Sequence, residues 1–432
     1  MVRLFRFPGR QPSVDLETQL NLAMKHSGLH AGVRLTLFVG RIMGVVPLTG
    51  LMNHHSQELK FKLRSLFAVL YFTSLIGQAL MSIMSFYWLL ENKISLTNMT
   101  NFLFYTSSAV SFIILANVCR KWPTLVVNVE AIENRLPPLS AKVPVYCNVI
   151  MILILFAALV EHLFSIFFGI TVAKACDPNN IAETFFHYDK PWIFTYTTYT
   201  LWKGILIEVF NIQSTFMWSY NDLLIMVISV YLTEHFNTHN RLLKAALKQG
   251  HTSCDEFRSK HLEIIKLVTM INDTIGIYVL TCFGCNLYWI CTQLFYCMNK
   301  KYTGHFVSCE LHQDSFNPIH SIEHSIYFTY SFSFLVGRTM LVLLLAARVN
   351  SASVIPLFYL YQIPSSKFNI EVERFIGQIT HIKVALSGLD FFYVTRTMIL
   401  TVSVIQINKM FPCNPTYVIF FCFAAPWNYS YI

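Results

Sequence analysis

The chain has 432 residues, 54% of them hydrophobic and only 13% charged, with a formal net charge of +9. Soluble domains carry roughly a quarter charged residues, so this composition excludes an ordinary water-soluble domain and makes membrane lipid the solvent to reason from. The positive balance is then a matter of which connecting segments carry it, and no nucleic-acid partner is expected.

The first thirty residues contain Arg3, Arg6, Arg10, Asp15, Glu17 and Lys25 and no apolar run of signal-peptide length, so no cleavable leader is predicted. The apolar run 33–51 carries Arg34, Arg41 and Pro47. Two cations and a proline make a poor span, and an interfacial or re-entrant helix within a cytosolic segment 1–62 is predicted instead. Seven stretches follow that are long enough to cross about 30 Å of hydrocarbon. They lie at 65–90, 101–119, 145–173, 201–232, 267–298, 322–347 and 391–407. The chain accordingly divides into transmembrane helices 1–4 (63–236), a cytosolic segment (237–266), helices 5 and 6 (267–347), a second cytosolic segment (348–390), helix 7 (391–407) and a tail (408–432).

Orientation follows from the lysines and arginines. With a cytosolic N-terminus, the inside segments hold 23 of the 32 cations and the outside segments hold seven. An extracellular C-terminus then follows from the odd number of spans. Asn98-Met99-Thr100 is a sequon in the first outside loop, so Asn98 is predicted to be glycosylated, and a second sequon begins at Asn428. Cys176, Cys297 and Cys309 fall in or beside outside loops, where a disulfide among them is open. Cys282-Phe283-Gly284-Cys285 has redox spacing but lies in an apolar helix, where ordinary packing accounts for it.

No phosphate loop, nucleophile elbow, dinucleotide fingerprint or zinc-protease motif is present, and neither an enzyme nor a cofactor is expected. His320 and His324 are spaced to share a helical face, which is thin evidence for a metal. The outer halves of the spans are more informative. Trp202, Glu208 and Asn211 of the fourth, Asn286, Trp289 and Gln293 of the fifth, and Glu323 and Tyr327 of the sixth follow a very aromatic loop at 185–202. Two arrangements account for this set. One is a cup of ring faces, carboxylates and amides for a polyhydroxylated ligand, whose C–H faces stack on rings while its hydroxyls need donors and acceptors. The other is an interfacial aromatic belt with helix-to-helix hydrogen bonds. Deeper still, Asp222 and Arg338 are intramembrane ions and are expected to form a buried pair.

Three stretches carry a family resemblance. They are Gly44-Val45-Val46-Pro47-Leu48, Trp218-Ser219-Tyr220-Asn221-Asp222-Leu223, and Phe391-Phe392-Tyr393-Val394-Thr395-Arg396. With seven spans and a cytosolic N-terminus, the chain resembles the sugar-receptor branch of the insect gustatory receptors up to about Val402. The resemblance implies an all-α, seven-transmembrane-helix chemoreceptor bundle in the plasma membrane. It implies a sugar-gated, non-selective cation channel assembled as a homo- or heterotetramer with related receptors. The cytosolic segments 241–266 and 368–389, both read as helical, would anchor subunits to one another. The seventh helix would line the pore, with Thr395, Ile399, Val402, Ile405 and Gln406 as pore or gate positions. The family's closing Thr-Tyr-Glu motif is absent here: Thr401-Val402 runs into Ser403 and a tail with Pro412, Pro415 and Pro426. An alternative transcript end, or a gene model that runs past an exon boundary, would explain that tail, and poor conduction as a homotetramer is expected from it. A seven-helix receptor signalling through a cytosolic partner is the rival reading. A transporter is a third, although no internal repeat supports it.

Overall fold

The computed structural model describes residues 28–53, 58–62, 64–92, 94–250, 254–298 and 322–398. The first element is a short helix, α1 (Leu29–Ile42), whose Leu29, Val33 and Leu37 form a buried stripe. At about 1.5 Å per residue its 14 residues are too short to cross a bilayer. The 33–51 run is therefore not one helix. Pro47 lies beyond the end of α1, after a turn at Gly44 with φ +75°, where a Cβ would meet Ser74 Oγ at 2.8 Å. Strand β1 (Leu48–Thr49) then pairs antiparallel with β2 (Lys60–Phe61).

Six helices among the described residues are long and apolar enough to span. Two of them start on serine caps: Ser65 precedes α2 (Leu66–Glu91) and Ser95 precedes α3 (Leu96–Glu133), each accepting from an N–H three residues on at 3.2 Å. Next come α4 (Lys142–Cys176), the short α5 (Ile181–Asp189) and α6 (Pro191–Phe194), then α7 (Leu201–Lys248), α8 (Asp255–Met298) and α9 (Ile322–Leu360). Helix α10 (Ile370–His381) begins on Asn369, whose Oδ1 accepts from the N–H groups of Glu371 and Val372.

The cores of the six spans match the apolar stretches, but four helices run on past them. α3 continues from 119 to 133, α7 from 232 to 248 and α9 from 347 to 360, while α8 starts twelve residues early at Asp255. With 48 residues, α7 is about 72 Å long, more than twice the hydrocarbon thickness. All four extensions lie at one end of the bundle, hereafter the projecting end. There Leu243, Cys254, Leu360, Val372, Phe375 and Ile379 make a separate small core that docks α10.

Helix α7 is the axis. Every residue from Ser219 to Ser229 is buried, so it is enclosed on all sides by α1, α3, α4, α8 and α9. α2 and α4 instead present stripes of exposed leucine, isoleucine and phenylalanine, the surface a lipid solvent requires.

Three expectations need correction. The segment 368–389 is helical only as α10; residues 382–394 form a tight hairpin in which Val394 N–H donates to Leu386 O and Ser387 bridges Tyr393. Phe391 therefore does not begin a helix: helical geometry starts at Arg396, capped by Thr395, and the remainder of the expected seventh span lies outside the described residues. Asn98 is not in an exposed loop. It sits in the first turn of α3, 3% exposed, and its Oδ1 accepts from Trp88 Nε1 at 3.2 Å. A glycan there requires the side chain to leave that contact.

Candidate functional site

In the half of the bundle away from the projecting end, five elements bring ionisable and aromatic side chains together. On α7, Glu208 and Asn211 stand three residues apart and share a face, with Asn211 Nδ2 donating to Glu208 Oε1 at 3.1 Å. Tyr105 of α3 donates its hydroxyl to Asn211 Oδ1 at 3.0 Å. Adjacent residues on a helix point about 100° apart, and α4 uses that divergence because it packs on two neighbours. His162 turns to α7, its Nε2 lying 3.4 Å from Glu208 Oε1, and Glu161 turns to α9, accepting from Ser331 Oγ at 2.8 Å.

The α5–α6 connection enters this cluster from the side. Lys190 is buried, paired with Asp189, and its Nζ lies 5.8 Å from the Trp192 ring centroid. Burial alone would lower its pKa, but the charges of Asp189 and Glu208 and the nearby Tyr105 hold it above the ordinary lysine value. It therefore stays an ammonium inside the fold. The remaining carboxylate oxygen, Glu208 Oε2, is buried with no hydrogen-bond partner, as is Trp192 Nε1. Such atoms need a partner that the protein does not supply, a water or a ligand hydroxyl.

An aromatic layer adjoins the cluster. Trp192 packs on Tyr105 with centroids 5.6 Å apart, and Phe104 meets Trp289 edge-on at 5.9 Å. Trp289 in turn contacts Trp218 at 5.4 Å. Trp218 Nε1 and Gln293 Oε1 are further buried atoms without a partner. Tyr327 stacks on Phe168 with ring planes 13° apart.

Beneath this layer Asp222 and Arg338 are both fully enclosed, with Arg338 Nε 2.8 Å from Asp222 Oδ2 in an ion pair that lacks linear hydrogen-bond geometry. Arg338 Nη1 also donates to Ser219 Oγ at 2.7 Å. Asp222 Oδ1 accepts from Asn286 Nδ2 at 2.7 Å and from Cys282 Sγ at 2.6 Å. Cys282 and Cys285 are free thiols, and Cys282 takes part in the Asp222 contacts.

The eight expected cup residues are thus sorted. Glu208 and Asn211 belong to the polar cluster, Trp289, Gln293 and Tyr327 to the aromatic surroundings, and Glu323 is half-buried in the first turn of α9. Trp202 is 64% exposed on the outside of the bundle, which suits the belt arrangement. Asn286 donates its amide to Asp222, beneath the aromatic layer. Glu161, His162, Tyr105 and Trp218 join the site without having been singled out for it, and Lys190 enters from the aromatic 185–202 loop. Glu161 and His162 had a signal, since two adjacent ionisable residues in the 145–173 apolar run are costly unless paired. Of the pore positions, Thr395 caps the turn at Arg396, and Ile399, Val402, Ile405 and Gln406 lie outside the described residues. Cys176 is disulfide-bonded. Among the described residues no group of three or more His, Cys, Asp or Glu is placed to hold a metal.

A family model described as trehalose receptor matches residues 15–308 and 305–407. The chain is 27% identical over 391 residues to the Drosophila melanogaster gustatory receptor for sugar taste 64f, covering 88% of this chain and 79% of that protein. It is 26% identical over 389 residues to the Drosophila melanogaster gustatory receptor 5a for trehalose, covering 88% and 83%. Among solved structures, the insect olfactory receptor OR5 from Machilis hrabei has the same fold, with a TM-score of 0.59 at 16% identity over 90% of this chain and 96% of that one. The same receptor in complex with eugenol gives a TM-score of 0.58 at 16% identity, covering 90% and 97%.

Proposed function

This multi-pass membrane chain belongs to the trehalose receptor family, in the sugar branch of the insect gustatory receptors, and from that premise we propose that it is a sugar-gated, non-selective cation channel subunit. The observation that carries the sugar reading is the juxtaposition of the Glu208–Asn211–His162 cluster with the Trp289–Trp218 ring pair. A pyranose offers hydroxyls that need both donors and acceptors, and apolar ring faces that need aromatic partners. Glu208 Oε2 is an acceptor, and Trp192 Nε1 and Trp218 Nε1 are donors, all buried without a protein partner.

The orientation proposed has the projecting end in the cytosol. The cation asymmetry supports it. So does the disulfide at Cys176, on the opposite end of α4, because disulfides persist in oxidising compartments. A tetramer is supported by Phe358, Tyr361, Phe368 and Ile370, large apolar side chains left exposed at the projecting end, past the apolar core of α9, where lipid does not cover them. The pore in this reading belongs to the helix that begins at Arg396.

The test is whole-cell recording from cells expressing the chain alone and with a related subunit, against a panel of mono- and disaccharides. Sugar-evoked cation current that is absent from mock-transfected cells is the expected result. Sugar responses that require a cytosolic signalling partner would favour the rival receptor reading. Because the tail after Val402 lacks the family's closing motif, the recording is paired with a chain whose residues 403–432 carry a family-type ending. Larger current from that chain is expected.

A further inference from the structure

Two sets of contacts tie α7, α8 and α9 together, and one side chain takes part in both. The polar set is centred on Asp222, which Asn286 and Cys282 hold from α8 and Arg338 holds from α9. The aromatic set lies nearer the cup, where Trp218 of α7 meets Trp289 of α8. The Arg338 guanidinium stands over the Trp218 ring, 4.4 Å from its centroid, and 5.2 Å from the centroid of Phe334. Two further contacts hold it in place, the ion pair of Nε with Asp222 and the hydrogen bond from Nη1 to Ser219 Oγ.

A buried ion pair is a poor device for stability, because desolvating two charges offsets most of their attraction, and apolar residues of the same volume often do as well. Arginine nonetheless offers something that an apolar residue or a lysine does not. Its planar fork can accept an ionic contact along the edge while stacking an aromatic ring on the face. Here Nε pairs with Asp222, Nη1 donates to Ser219, and Cζ stands over the Trp218 ring.

We infer that Arg338 is a positioning residue for the cup: Asp222 and Ser219 set the guanidinium plane, the plane sets the Trp218 indole, and Trp218 sets Trp289. The buried pair then acts on ligand affinity through the aromatic floor, without touching the ligand. This inference rests on the sugar-cup reading for its consequence but not for its geometry, and the experiment separates the two.

The ligand-free arm uses far-ultraviolet circular dichroism of the purified chain, in which two indoles in van der Waals reach give an exciton couplet, and Trp289→Phe defines the contribution of this pair. Arg338→Lys is expected to lose the couplet while keeping the wild-type helix signal. Asp222→Glu, which pushes the guanidinium without removing the charge, is expected to weaken it and carries the test if Arg338→Lys does not fold. A couplet of wild-type size in both variants overturns the inference. The second arm measures sugar dose–response at matched surface expression. Arg338→Lys is expected to raise the half-maximal concentration about tenfold, equivalent to about 1.4 kcal/mol, with the maximal current kept. Combining it with Trp289→Phe is expected to add little to the larger single effect, and fully multiplicative shifts count against the inference. A wild-type chain that shows the couplet, and loses it in Arg338→Lys, yet never responds to sugar would sink the sugar reading and leave the positioning role standing.

Discussion

Asn272 holds Ser387 with both ends of its amide: Oδ1 accepts from the Ser387 N–H at 2.8 Å, and Nδ2 donates to Ser387 Oγ at 2.7 Å. This clamp pins the 386–394 hairpin to α8 just before the chain turns helical at Arg396. Two successive residues in that hairpin, Leu389 (φ 52°) and Asp390 (φ 58°), adopt the left-handed conformation that costs a non-glycine residue about 1–2 kcal/mol.

Removing the clamp with Asn272→Ala leaves the Ser387 N–H without its acceptor and is expected to lower stability by about 1–3 kcal/mol. Leu389→Gly relieves the backbone strain and is expected to be neutral or mildly stabilising, whereas Leu389→Val puts a β-branched residue at positive φ and is expected to destabilise. Thermal unfolding in detergent ranks the three. A Leu389→Gly midpoint below that of Leu389→Val would contradict the strain account.

For the deep pair, Asp222→Asn and Arg338→Gln are each expected to cost about 3–5 kcal/mol, because each strands a buried charge. The double variant is expected to be less destabilised than the two costs together. Strict additivity in unfolding midpoints would mean that the 2.8 Å contact carries no coupling energy.

At the cup, Glu208→Gln and Trp289→Leu are each expected to shift the sugar dose–response by about five- to hundredfold, the cost of leaving a buried hydrogen-bonding or stacking partner unmatched. Trp202→Ala, on the exposed face of α7, is expected to leave it unchanged. A large Trp202 effect combined with none at Glu208 would return the whole set to the belt arrangement.

Orientation is open to a direct check at the α7–α8 turn, where Gln249 and Gly250 are exposed. Gln249→Cys is expected to react with a membrane-impermeant maleimide only after cells are permeabilised, above the background of the parent chain. Labelling of intact cells would invert the bundle.

At the projecting end, Glu371 accepts from Arg374 Nη1 at 2.7 Å and from Arg258 Nε at 3.0 Å. The hydrogen bond from Arg374 is the chief reason its pKa is held below the usual carboxylate value, with Arg258 adding to it. A depressed folded-state pKa contributes stability above the unfolded value of about 4.3, and that contribution is lost as pH falls through the folded value. Protection factors over 370–381, taken relative to the intrinsic exchange rate at each pH, are expected to fall below about pH 4.3 in the parent and to lose that component in Glu371→Gln. Identical pH profiles would show that this ion cluster does not hold α10.

Hydropathy is a local property, and what depends on it alone was legible along the chain. The six spans among the described residues follow from residue type counted over a window. The extension of α3 over 119–133 was not legible, because that stretch mixes charge with apolar positions, whereas those of α7 and α8 fall largely in the 241–266 segment that was read as helical. The seventh span began late for a related reason: Phe391 and Phe392 are apolar enough for lipid but are taken up by a hairpin that Asn272 holds in place.

Beyond the expected Asp222–Arg338 pair, pairing was the part that only three dimensions decided. The sequence alone marked Asp222 and Arg338 as costly ions that need partners, since an unpaired charge in hydrocarbon is intolerable wherever it sits. It did not say that Asn286 serves Asp222 instead of the cup, that Lys190 folds inward from a loop, or that the first N–H of α1 is capped by Glu133 from a helix 104 residues away. Each of those depends on which faces of neighbouring helices meet. Hydrophobicity sets that a helix is buried but is indifferent to its rotation, and the rotation is chosen jointly by close approaches such as Gly77 against the Phe210 ring and by the polar contacts that must close at once.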